Sequence, residues 1–168
     1  MALLFPDVSG FPSRVGSGSA CYVRHHYVID KSMSLETFPS EILVPAKASI
    51  RPAGELFSIQ IELQPFILDD EEVTTSFIFE CVHLPKDSQA WVGRSFTFPR
   101  NPTDGYIDGS IYLRHAHNPA DVTSIAFGER HGVSISAEFS ICLVFEFEGV
   151  GFRNTNVKIS VPLQILAV

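Results

Sequence analysis

The sequence is short of positive charge. Its 168 residues hold 12 Lys and Arg against 19 Asp and Glu, a formal net charge of −7. A nucleic-acid binder needs a basic surface to neutralise phosphates, so nucleic acid is a poor fit, and so is an anionic membrane. No apolar run approaches the roughly 20 residues that a membrane-crossing helix needs. The opening Met1–Phe5 is apolar but lacks a basic flank and runs at once into Pro6 and Asp7, so no signal peptide is expected. Cysteine is sparse too. Cys21, Cys81 and Cys142 are far apart, odd in number and without a CxxC pair, which argues against a zinc site, a redox centre or a secreted disulfide scaffold. Buried thiols in a reducing, cytoplasmic compartment are expected instead. No G-x-S-x-G, phosphate loop or dinucleotide fingerprint is present, so the reading leans away from an enzyme.

What the chain does have is aromatic and β-branched bulk. Hydrophobic residues make up 45% of it, charged residues 18%, and there are 14 Phe, a composition that favours a strand-built core over disorder. Residues 1–19, rich in Pro, Gly and Ser, read as an irregular lead-in. Residues 20–168 read as one all-β domain: an antiparallel β-sandwich, with a barrel or jelly roll as the variant, and little or no helix.

The alternation is clearest in three places. Phe57, Ile59, Ile61 and Leu63 oppose Ser58, Gln60, Glu62 and Gln64. Val133 to Phe147 places an apolar residue at every second position and predicts one long strand with Glu146 and Glu148 on its polar face. Val157, Ile159, Val161, Leu163 and Ile165 follow the same rule, with Pro162 marking that strand as an edge through which copies of the chain could associate. Cys21–Asp30, Ile42–Ile50, Val73–Leu84 and Trp91–Phe98 read as further strands, with Trp91 in the core. Tyr106–His117 and Asp121–Gly128 read as two more, joined through Asn118-Pro119, where a short helix is the competing assignment.

Two constellations could carry chemistry. On a strand, residues two apart share a face, so His115 and His117 are expected to point inward beside Ile107, Ile111 and Leu113, an arrangement suited to a metal. Gly109, five residues, His115-x-His117, three residues, Asp121, six residues and Gly128 together resemble the first motif of the cupin family, a β-barrel fold. The resemblance implies one divalent ion held by His115, His117 and Asp121, in an enzyme or a small-molecule sensor. It covers only that stretch: Asp121 stands where the family has Glu, and no second motif with its further histidine follows. The plainer reading makes both histidines ordinary surface or hydrogen-bonded residues and requires no cofactor.

The second constellation is Asp69-Asp70-Glu71-Glu72, which lacks the spaced ligands and glycine of a calcium loop. As a turn it needs no further role. As a surface, extended by Glu146 and Glu148, it would pair with Arg and Lys of a basic protein. The leading expectation is therefore a non-catalytic acidic binding domain, of the inhibitor or immunity type, that neutralises a basic toxin or nuclease. The cupin-like metal site is the alternative.

Overall fold

Short alternating segments cannot bury an apolar face alone, and here they bury it by closing on themselves. The structure, a computed structural model, describes residues 34–166. The expected lead-in, the strand over Cys21–Asp30, Cys21 itself and His25-His26 lie outside the described residues. In chain order the strands are β1 (Pro45–Ala53), β2 (Leu56–Leu63), β3 (Phe66–Leu68), β4 (Glu71–Val73), β5 (Ser76–Val82), β6 (Ser95–Thr97), β7 (Asp108–Leu113), β8 (Ala116–His131), β9 (Ser134–Leu143) and β10 (Thr155–Ile165). One helical turn, α1 (Phe145–Glu148), and 3₁₀ turns at Ser40–Ile42 and Ser88–Trp91 are the helical pieces among the described residues.

Pairing runs β8-β7-β5-β2-β1-β10-β9 and returns from β9 to β8, a closed ring of seven strands. Every neighbouring pair is antiparallel except β1 with β10. β6 is an extra strand on the β7 side of β8, where Ser95, Phe96 and Thr97 pair with Ala126, Ile125 and Ser124 beyond the end of β7. β3 and β4 form a separate two-stranded hairpin. The all-β expectation holds, with the strands closing into a barrel.

Closure removes the open edges that a sandwich leaves. It also corrects the edge reading of Pro162. β10 lies between β1 and β9, and Pro162 sits opposite Ser136 of β9. Amides alternate in direction along a strand: Ile165 donates to Val133 and Leu166 to Ile50 of β1. By that alternation the Pro162 nitrogen faces the β1 side, one residue before that ladder begins at Leu163. A proline is tolerated there because no donor is needed.

The interior is filled as the period of two requires. Phe57, Ile59, Ile61 and Leu63 are buried, as are Ile135, Ala137, Phe139, Ile141 and Leu143 of β9 and Val157 to Leu163 at every second position of β10. Trp91 is in the core. It packs on Phe57 and Phe127 with ring centroids 5.3 and 5.4 Å away, and its indole N–H donates to the Pro85 carbonyl at 2.8 Å. Near the opposite end, Phe38, Phe145 and Phe152 make a second aromatic cluster with centroids 4.8–5.5 Å apart. The long strand expected over Val133–Phe147 is cut short: β9 stops at Leu143, and α1 turns Phe145 into the core while Phe147 is left exposed. Gly149, in the left-handed conformation, ends that turn. The thiols divide as well. Cys142 is buried, which pushes its pKa up, but Cys81 is exposed, against expectation.

Gly109 marks the tightest approach in the wall. A Cβ there would run into the Ala120 carbonyl of β8 and lie 2.8 Å from the Phe79 ring. Neither can withdraw, because both belong to the closed ring. Gly109→Ala is expected to cost about 3 kcal/mol in urea unfolding, at the upper end for overpacking. Gly54→Ala, strained only by its positive φ, is expected to cost about 1 kcal/mol.

Candidate functional site

Four segments meet at the end of the barrel where β1, β5, β8 and β10 begin: residues 34–44, 64–75, the β7–β8 turn, and 144–154. The turn is the organiser. Leu113 pairs with Ala116, leaving Arg114 and His115 as its two central residues, at φ 48° and 61°. A two-residue hairpin of the primed type needs both central residues in the left-handed region. Asn or Gly adopts that cheaply, whereas an ordinary side chain costs about 1–2 kcal/mol per residue. Asn118 supports the turn from beneath, donating through Nδ2 to the carbonyls of Leu113 and Ala116 at 3.1 and 3.0 Å. Its Oδ1 is buried and has no hydrogen-bond partner among the described residues.

The strained turn sets Arg114 among the other three segments. Its Nε and Nη2 donate to the two carboxylate oxygens of Asp69 at 2.6 and 2.7 Å, a bidentate pair. Nη1 donates to the Val150 carbonyl at 2.6 Å, and the guanidinium lies 4.0 Å above the centre of the Phe152 ring. Glu36 completes the set at 3.9 Å. The hydrogen bonds from Arg114 hold the Asp69 carboxyl below the usual carboxylate range, and Asp69 raises Arg114 in return.

Asp69 and Asp70 form the β3–β4 turn, also with positive φ at both positions, 54° and 64°. Of the expected acidic surface, then, Asp69 is already occupied by Arg114. Asp70, Glu71 and Glu72 are exposed. Glu146 and Glu148 are not on a strand face but in α1. Glu146 exchanges hydrogen bonds with Asn154: its Oε1 accepts from the Asn154 amide at 3.1 Å, and its own amide donates to Asn154 Oδ1 at 3.0 Å. The structure nonetheless brings both acidic groups to one end of the barrel, because Arg114 bonds to Asp69 in one and to Val150, two residues past Glu148, in the other.

The inward histidine pair is corrected. The turn at Arg114-His115 ends the strand before His117, so the two imidazoles do not share a strand face, and both are exposed. His117 instead packs edge-on against Tyr112 of β7, centroids 5.0 Å apart. Asp121 is buried on β8 beside Cys142 of β9. Asn118-Pro119, expected to link two strands, lies inside the single 16-residue β8. Among the described residues no group of three or more His, Cys, Asp and Glu is arranged to hold a metal ion, and no helix is long and apolar enough to cross a membrane.

Arg114 went unread in the sequence, where nothing but its place just before His115 singled it out. The charge it organises is lopsided. The four segments hold eight carboxylates: Glu36, Glu41, the four from Asp69 to Glu72, Glu146 and Glu148. Against these stand two arginines, Arg114 and Arg153, so the four segments carry a net −6 of the −8 on the described residues.

No protein-family model, curated protein or solved structure matches the chain.

Replacing Arg114 by Met keeps the side-chain length but removes the bidentate pair, the carbonyl bond and the cation over Phe152. We expect a loss of about 1–2 kcal/mol by chemical denaturation. Asp69→Asn tests the electrostatic part through pH. The folded carboxyl is lowered below its unfolded value, so its stabilisation is present above about pH 4 and fades as pH falls through the lowered value. The wild-type protein should lose stability over that acid window, and the Asn variant should lose correspondingly less.

Proposed function

We propose that this protein is a non-catalytic binding domain that docks a basic protein through the acidic end of its barrel. The observation that carries the reading is the concentration of most of the described residues' excess negative charge on four segments that meet around one arginine. Like charges gathered this way repel and weaken the fold slightly, so the arrangement makes most sense when a cationic surface relieves it. Long-range attraction would speed the encounter, and pairing of carboxylates with Arg and Lys would set the register.

A basic enzyme that acts on nucleic acid is the partner whose chemistry fits best. Carboxylates placed on the surface it reserves for phosphate would exclude its substrate, which is how an inhibitor or immunity-type protein would neutralise a toxin or nuclease in the cytoplasm. No residue of the present chain needs to perform chemistry for that.

Two carboxylates at this end have structural duties, Asp69 on Arg114 and Glu146 on Asn154, and are left alone in the test. The variant carries Asp70→Lys, Glu71→Lys, Glu72→Lys and Glu148→Lys. Immobilised wild-type protein should retain a basic protein whose binding weakens as salt is raised from 0.05 to 0.5 M, and the variant, folded by circular dichroism, should not. Equal retention by both would discard this end as the docking surface.

A further inference from the structure

The acidic end contains a groove that a charge count alone would not find. It lies between the two hairpins, with Leu68, Glu71, Glu72 and Val73 among its lining on one side and Tyr112 and His115 on the other, and has a volume of about 200 Å³. That is below the roughly 300 Å³ at which pockets for drug-sized ligands begin, so it has room for one long side chain and little else.

Cross-strand pairing says which groups look into it. Phe66 pairs with Val73 and Leu68 with Glu71, and paired or alternate residues share a face. Phe66 and Leu68 are buried, so this is the barrel-facing side of the hairpin. Glu71 is the one charged side chain on that side. Ile67 and Glu72 alternate to the other, exposed side, and Glu72 also contributes to the groove's lining. Among the described residues Glu71 makes no ion pair and no side-chain hydrogen bond. The groove's own cation, Arg114, is matched by Asp69, so the two cancel and the charge of Glu71 is left over. Tyr112, 46% exposed, offers its ring as an apolar wall that also attracts cations.

We infer that this groove receives a single lysine or arginine side chain of the basic partner, its methylenes lying along Leu68, Val73 and Tyr112 and its charged head paired with Glu71. The inference rests on the reading of this end as a docking surface and names the group it grips. A long cationic side chain suits both requirements of the site, an apolar stem and a charged tip. An acidic or purely apolar side chain satisfies only one.

The test uses side-chain mimics: n-butylguanidinium and n-butylammonium chloride, with n-butanol as the uncharged control, titrated at constant ionic strength and followed by amide chemical shifts. Saturable shifts are expected at Leu68, Thr74, Tyr112 and Leu113 for the cations and not for the alcohol. Glu71→Gln should weaken binding at least tenfold with an unchanged melting temperature. Asp70→Asn, at the hairpin tip and outside the groove, should change it less than twofold. Non-saturating shifts, shifts spread evenly over the acidic end, or an unaffected Glu71→Gln would overturn the inference. A basic protein captured equally by wild type and Glu71→Gln, but lost from the lysine-reversed variant, would remove the groove and leave the docking surface standing. Retention by all three would remove both.

Discussion

Sixteen consecutive residues, Ala116–His131, run as one strand that is hydrogen-bonded along both edges, and the ring can close only because they do. β7 takes Ala116–Pro119 on one edge, β6 takes Ser124–Ala126, and β9 runs along the other edge from Ala120 to His131. No shorter strand could serve all three. The strand must bend to manage it, and it does so where the β9 ladder shifts register, between Val122 and Ser124 and between Phe127 and Arg130. The second shift brackets Gly128, where any Cβ would collide with the Ser136 hydroxyl of the facing strand. With β8 paired to β7 from its first residue and anchored in the ring beyond it, the chain can place turn residues at its start that a free strand end would not tolerate.

That tolerance is what puts Arg114 where it is. Two non-glycine residues in the left-handed region cost free energy, and the barrel holds them there from either side through the Leu113–Ala116 pair and from below through Asn118. What the strain secures is a guanidinium with a defined direction, saturated by Asp69, Val150 and Phe152. The β3–β4 hairpin belongs to no larger sheet; the burial of Phe66 and Leu68, this cation, and the bond from the Thr75 hydroxyl just after the hairpin to the Tyr112 carbonyl at 2.9 Å tie it to the barrel. Arg114 thus fixes the relative position of the two hairpins, and with it the shape of the groove between them.

The strands were legible where period and burial agree. In β2 every second residue from Phe57 to Leu63 could be assigned to the core before any coordinates, and the structure buries all of them. The same rule misled where an apolar alternation outlasts the strand. Val133 and Phe147 continue the pattern of β9 at either end yet are exposed, because a turn at one side and α1 at the other carry them off the sheet. Periodicity reports which residues can share a face, not where hydrogen bonding stops. The histidine pair failed for a related reason. His115-x-His117 has strand spacing, but the turn falls inside it, and no Gly, Asn or Pro announces a turn at Arg114-His115. The acidic groups were visible as residues and invisible as a surface, since it is tertiary contacts, those of Arg114 among them, that bring Asp69 and Val150 to one place.

The division of labour between wall and mouth explains why so much charge can be carried at one end. The energy that holds the ring is apolar and lies inside the barrel, far from the turns. Repulsion among the carboxylates is screened within about 8 Å at physiological salt, so each feels its neighbours on the same turn more than the rest of the surface. Asp69 is matched by a bidentate guanidinium, and Glu146 is held by the Asn154 amide. The carboxylates without such duties, Glu41, Asp70, Glu71, Glu72 and Glu148, are exposed, and hydration keeps the cost of their charge small. Because the aromatic cluster of Phe38, Phe145 and Phe152 already seals the interior beneath, the rim is free to be shaped by what it meets.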